Sequence, residues 1–352
     1  MGLAALGSRV AGLRLERVRA SPQYRDGEFR NAAPVATGMA MGAVMPFMAE
    51  SLRGGTRRVP DAPLPSVSPL RGWSRPCETG LRATWLGHST TLLEIDGARV
   101  LIDPVWGERA SPVSFAGPRR FQPVPVSVEA LPPLDAVVLS HDHFDHLDHP
   151  TIVQLARRDV PFVTSLGVGA HLEAWGVPAS RIVELDWWER HELARTGLTI
   201  TAAPAQHFSG RAPGVANPTL WSSMALRGAK HAAFFSGDTG LTTAFQALGA
   251  RLGPFDLIML EVGAYYAGWP DVHLGPENAL TARSYLGGGA LLPVHWGTFD
   301  LALHAWDEPA ERLFELARRD SVPLVMPLLG EPVEPSRVER VDPWWRPTAP
   351  RR

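Results

Sequence analysis

Nine residues limit what this chain can become: Ser140-His141-Asp142-His143-Phe144-Asp145-His146-Leu147-Asp148. They follow Asp135-Ala136-Val137-Val138-Leu139, a short apolar run that reads as a buried strand. Three histidines and three aspartates at the end of a buried strand are costly unless something satisfies them. Imidazole and carboxylate are the ligands of a borderline divalent metal such as zinc. His141 and His143 are two apart, so an extended segment points both to one side. Asp145 and His146 fall where the chain turns, and can face back toward a second ion. Two adjacent ions held in this way make a hydrolytic centre. A surface loop that happens to be rich in His and Asp is the plain alternative, and the strand-end context argues against it.

The 352 residues suffice for one large domain or two ordinary ones. With 45% hydrophobic and 20% charged residues, a globular core is expected rather than disorder. The net charge is −2, Lys230 is the sole lysine and no Lys/Arg block occurs, which argues against a nucleic-acid partner. A single cysteine, Cys77, excludes an internal disulfide framework and fits a reducing compartment, so the expected location is the cytoplasm. It also leaves any metal to His and carboxylate. Met1 to Ala20 starts apolar, but Arg9, Arg14, Glu16, Arg17 and Arg19 interrupt it, so it lacks a signal-peptide core. Ala33 to Met48 is apolar, too short for a membrane span, and bracketed by Pro34 and Pro46. It reads as a core helix, or, more sharply, as a lipid-facing helix at a membrane periphery.

Residues 1–80 read as an N-terminal extension whose second half, Arg53 to Pro76, is a Pro-rich linker or wrapping arm. Residues 81–345 read as the folded domain. Strands are expected at 83–87, 91–95 and 99–102, the last two joined by an Asp96-Gly97 hairpin. Val105 to Pro133 reads as a long ordered loop. Further strands are expected at 135–139, 162–164, 181–185, 198–202, 220–226, 232–235, 256–260, 290–294 and 323–326. Helices are expected at 151–158, 168–175, 242–252, 276–285 and 308–318. Early strands followed by mixed strands and helices suggest an α/β fold of two sheets packed face to face, helices outside. Several expected strands end in a candidate ligand or its neighbour: Asp103, His141, His207, Asp238 and His295. If those ends share one edge, the side chains converge.

The order His141-x-His143-x-Asp145-His146, then His207, Asp238 and His295, resembles the metallo-β-lactamase superfamily. The phrases Trp85-Leu86-Gly87-His88-Ser89-Thr90, Glu184-Leu185-Asp186-Trp187-Trp188, Ser236-Gly237-Asp238-Thr239-Gly240 and His295-Trp296-Gly297-Thr298-Phe299 narrow the resemblance. They are similar to the branch of N-acylphosphatidylethanolamine-hydrolysing phospholipase D and its bacterial relatives. The resemblance runs from about Thr84 to His304, and Tyr24 to Asn31 also has the look of bacterial members. It implies an αββα sandwich, a mixed α/β fold with helices outside, and two Zn2+ per chain at one edge, with iron or manganese as substitutes. By position, His141, His143 and His207 would hold one ion, Asp145, His146 and His295 the other, and Asp238 would bridge them. His88 and Asp103 would orient ligands, Asp145 would also orient the nucleophile, and His273 would act beside the substrate.

The activity so implied is zinc-dependent hydrolysis of a phosphodiester, small-molecule or lipid, to a phosphomonoester and an alcohol. Trp106, Trp187, Trp188, Trp269 and Trp296 are candidates to line a cleft or to fill the core. A lactonase or other ester or amide hydrolase on the same ions is the second reading, and a non-enzymatic metal-dependent binding protein the third. A peripheral membrane contact and a homodimer are the remaining partner expectations.

Overall fold

The computed structural model describes residues 4–37, 41–53, 56–212 and 214–346. Two mixed sheets carry the fold. In the first, of seven strands, Pro332–Val333, Leu81–Trp85, Thr91–Ile95 and Ala98–Ile102 pair antiparallel; Ala136–Leu139, Phe162–Ser165 and Ile182–Leu185 then continue in parallel. In the second, of six strands, Ala290–Val294, Leu257–Glu261 and Ala232–Phe235 are parallel, and Ser223–Arg227, Thr199–Ala203 and Arg190–Glu192 follow antiparallel.

Strand alternation sorts side chains between two apolar layers. Along Ala136–Leu139, Ala136 and Val138 enter the core between the sheets. Val137 and Leu139 instead face a second layer, with Ile152 and Leu155 of helix His149–Leu155 and Leu172 of helix Gly169–Ala174. On the far side, helices Ala244–Leu252, Gly275–Tyr285 and Glu308–Arg319 bury Phe245, Leu248, Ala279, Ala282, Leu313 and Phe314. The result is the expected helix–sheet–sheet–helix sandwich. Each fully buried Phe or Leu contributes about 1.5–3 kcal/mol of transfer free energy.

The strands Thr199–Ala203, Ala232–Phe235, Leu257–Glu261 and Ala290–Val294 all run in one direction, because two antiparallel steps restore the sense. Their C-terminal ends therefore lie on one edge, and so do those of the parallel strands in the first sheet.

Several local expectations shift. Residues 323–326 make only an isolated bridge, Leu291 to Leu324, because Pro323 has no N–H to extend a ladder. Arg190–Glu192 and Pro332–Val333 are edge strands too short and too polar for a period-2 signal. Leu86 and Gly87 leave the first strand and begin the turn that carries His88. Helix Met41–Arg53 is not a core helix: Met45 is 72% and Met48 51% exposed, and Phe47 packs against Tyr266 and Trp269. Residues 38–40 of that apolar stretch lie outside the described residues. Trp187 and Trp296 are core residues, Trp296 stacking on Trp85 with ring centroids 5.3 Å apart. Among the described residues no helix is long and apolar enough to cross a membrane.

Candidate metal centre

The loops at the shared edge bring all seven candidate ligands together, with His88, Asp103 and His273 around them. His141, His143, His207 and Asp238 form one group of potential ligand atoms within 4.8 Å of one another. His88, Asp145, His146 and His295 form another, within the same limit. Asp238 stands between them, its carboxylate 3.1 Å from Nε2 of both His146 and His295, 3.6 Å from that of His207 and 3.8 Å from that of His141.

The proton on each imidazole follows from its other partner. Ser140 Oγ donates its only hydrogen to Asp103 at 2.6 Å, so at 2.9 Å it accepts from Nδ1–H of His141. His146 Nδ1–H donates to Asp103 at 2.7 Å, and His207 Nδ1–H to the Val272 carbonyl at 3.0 Å. On His141 and His207 this leaves a bare lone pair at Nε2. Yet Nε2 of His141 and of His207 lie 3.0 and 3.2 Å from Nδ1 of His143. Three ring nitrogens converge where their own hydrogens cannot satisfy them all.

A cation resolves this. Two nitrogens each about 2.0–2.1 Å from a tetrahedral zinc stand about 3.3–3.4 Å apart, close to what is seen. Moreover, Nε2 of His146, Nε2 of His295 and Oδ1 of Asp238 are buried without a hydrogen-bond partner among the described residues. His146 Nε2 and Asp238 Oδ1 approach to 3.1 Å and still make no hydrogen bond. A cation between them would take both atoms as ligands. The residues present fit divalent cations of the kind His and carboxylate bind.

Charge agrees with position. Burial pushes the Asp238 and Asp145 carboxyls up, but the imidazoles around them outweigh it and hold both well below the usual range. Burial drives His141 and His207 well below the ordinary imidazole value, and His88 down to about 3. Burial also opposes charge on His146 and His295, but the facing carboxylates prevail and raise His295 to about 10.

The backbone is constrained here too. His88, Asp103 and His295, none a glycine, have φ of 53°, 38° and 64°. Such strain persists only where the surroundings over-determine it. His88 is fixed by Thr298 Oγ1 accepting its N–H at 2.6 Å, by Trp85 Nε1 donating to its carbonyl, and by its carbonyl accepting His295 N–H. Its Nε2 reaches Asp145 at 3.0 Å.

Residues 98–296, more than half of the chain, match the family described as Beta-lactamase superfamily domain. The chain belongs to the β-lactamase superfamily. Within it, a protein of Mycobacterium tuberculosis described only as uncharacterised is 47% identical over 97% of this chain and 92% of its own length. The N-acyl-phosphatidylethanolamine-hydrolyzing phospholipase D 1 of Caenorhabditis elegans is 38% identical, covering 69% of this chain and 72% of the relative. In three dimensions the chain resembles an isothiocyanate hydrolase from Delia radicum gut bacteria, with TM-score 0.58 and 22% identity over 72% of this chain and 98% of that one. It also resembles a metallo hydrolase of Ignicoccus hospitalis, with TM-score 0.55 and 22% identity over 72% of this chain and 97% of that one. These two likenesses speak to the fold alone. As a superfamily member the chain is a metal-dependent hydrolase of the metallo-β-lactamase fold.

One residue of this superfamily edge escaped the sequence reading. Glu261, fully buried, accepts from His273 Nδ1–H at 2.6 Å and from the Thr239 N–H at 2.6 Å. It ends an apolar strand, the same context that marked the other site residues. His273 lies between His207 and His295, at 5.3 Å from each by ring centroid.

Proposed function

We propose that the chain hydrolyses phosphodiesters with two divalent cations, zinc being the first choice. The observation that carries this reading is the pair of ligand groups sharing the carboxylate of Asp238. In this reading His141, His143 and His207 would hold one ion, Asp145, His146 and His295 the other, and Asp238 would serve both. When bound, such a pair supplies Lewis acidity and a water acidified toward neutral pH.

The rest is work for the chain. Asp103 fixes the tautomer of His146 and, through Ser140, that of His141. Glu261 accepts the Nδ1 proton of His273, and with a second proton at Nε2 the ring can donate to a phosphoryl oxygen or pass that proton to the departing alkoxide. The choice of a phosphodiester is supported by the similarity to the Caenorhabditis elegans phospholipase D. Phe47 packs on Tyr266 and Trp269, and Met45 and Met48 are exposed on the same helix, an apolar surface that an apolar substrate tail would suit.

The test is turnover of bis-p-nitrophenyl phosphate against a panel of lactones, with and without chelator. Phosphodiester hydrolysis lost on chelation and restored by zinc is expected. Lactone hydrolysis alone would replace this reading with that of a carboxylic-ester hydrolase. A metal-loaded protein inert to both would overturn it.

His273→Gln sharpens the mechanism. A p-nitrophenolate leaves without a proton, so the variant should act on that substrate almost normally. A diester with an alkyl leaving group should lose about 10²-fold or more in kcat, with metal content unchanged. Equal losses on both substrates would remove His273 from proton transfer.

A further inference from the structure

The N-terminal residues, read from sequence as an extension, reach the ligand loops with one side chain in particular. The Asn31 amide donates from Nδ2 to the His207 carbonyl at 2.8 Å, and its Oδ1 accepts the His207 N–H at 3.0 Å. Trp221 Nε1 donates to the same Oδ1 at 3.1 Å. The strand before His207 ends at Ala203, so His207 has no strand neighbour to take its two backbone groups. Buried backbone polar groups need partners, and here a single carboxamide serves as both.

The amide is itself held firmly. Phe29, two residues earlier, is fully buried among Leu166, Trp187, Ala205, Leu220 and Trp221, and its N–H donates to the Asn217 carbonyl. Further back, Arg14 pairs with Glu173 and Glu184, and Arg17 with Glu189. Arg211 fastens the same segment from below. It donates to the carbonyls of Ala5 in the N-terminal segment and of Asp142 and Leu147 in the ligand loop. This buried guanidinium therefore ties both pieces of chain together, and among the described residues it has no direct carboxylate partner.

We propose that Asn31 is a positioning residue for His207, and that residues 4–31 are part of the catalytic unit. This rests on the reading that His141, His143 and His207 hold a cation. Asn31 fixes the backbone of His207, and the Val272 carbonyl fixes its ring through Nδ1. Together they set Nε2 before any ion arrives. Removing partners that orient a ligand typically costs about 10–100-fold in metal affinity. The loss falls on the His207 ion and spares the other, whose ligands Asn31 does not touch.

The experiment titrates cobalt(II) into the full-length apo protein against a competing chelator, following cobalt content and visible absorption. It compares wild type, Asn31→Leu, Asn31→Asp and His207→Ala, with the melting temperature of each apo form. Asn31→Leu keeps the approximate size and removes all three hydrogen bonds. One cobalt per chain should then bind about 10–100-fold more weakly and the other at wild-type strength, with a changed absorption band for the weak ion. Asn31→Asp keeps the acceptor and loses the donor, so it should fall between. It asks the same question should Asn31→Leu not accumulate.

Wild-type binding of both ions in Asn31→Leu overturns the proposal. So does equal weakening of both in step with a lower apo melting temperature, which would mean a purely structural residue. If His207→Ala itself binds both ions normally, the metal reading fails as well, and that control separates the two failures.

Discussion

Asp238→Asn is expected to remove both cations and to lower phosphodiester turnover by at least about 10²–10³-fold. The substitution keeps shape and deletes one charge. That charge lies within 4 Å of Nε2 of His141, His146, His207 and His295, which span both ligand groups. The imidazoles around it hold the carboxyl ionised against its burial. An amide in its place offers one neutral oxygen, and a weaker ligand, to either ion. The apo protein responds differently. His146 and His295 carry raised values because carboxylates face them. Without Asp238 they shed protons rather than remain as unpaired buried cations. The zinc-loaded melting temperature should therefore fall much further than the apo one. Metal content by mass spectrometry and paired melts read both effects. Full metal content with undiminished turnover would eliminate a shared carboxylate, and with it the two-ion scheme.

What the sequence disclosed follows from how far apart the cooperating residues are. His141 to His146 were legible because the ligand types crowd together just after a buried strand. His207, Asp238 and His295 were legible through one repeated context, a strand that stops at a polar residue, because parallel strands deliver their ends to one edge. Glu261 shared that context and was passed over, since glutamate after an apolar run is unremarkable without its partner His273. Asn31 gave no chemical cue at all. Two of its three hydrogen bonds are to backbone atoms of a residue 176 positions away, and backbone groups leave no mark on sequence. The tryptophans stayed open between two readings because an indole suits a core and a pocket equally well. Trp296 turned out to stack on Trp85 between the sheets. The Ala33–Met48 stretch misled for a similar reason, since small residues and methionines suit a core and a surface alike.

Glu261→Ala should destabilise the fold by about 3–5 kcal/mol, and Glu261→Gln should separate that effect from chemistry. The carboxylate is fully buried and joins three pieces of chain. Oε1 accepts the N–H of Thr239, next to Asp238, and that of Leu274, at 2.6 and 3.3 Å. Oε2 accepts Nδ1–H of His273 at 2.6 Å. Burial pushes this carboxyl above its usual range, and the nearby His273 opposes the shift without cancelling it. Alanine strands two buried N–H groups and an imidazole, each costing about 1–3 kcal/mol. Urea unfolding of the apo protein measures the sum. Glutamine can keep its oxygen on Thr239 and Leu274, so most of the stability should survive. Its amide then donates toward His273 Nδ1, which must become an acceptor, and the ring proton moves to Nε2. A neutral ring so protonated still gives a hydrogen bond at Nε2, but it is a far weaker proton donor to an alkoxide than the doubly protonated ring that a carboxylate partner supports. The variant should fold, bind metal, and yet lose about 10²-fold or more on an alkyl diester, with an altered pH–rate profile. An unchanged profile in Glu261→Gln would mean that the tautomer of His273 has no part in the reaction, leaving Glu261 a brace between loops.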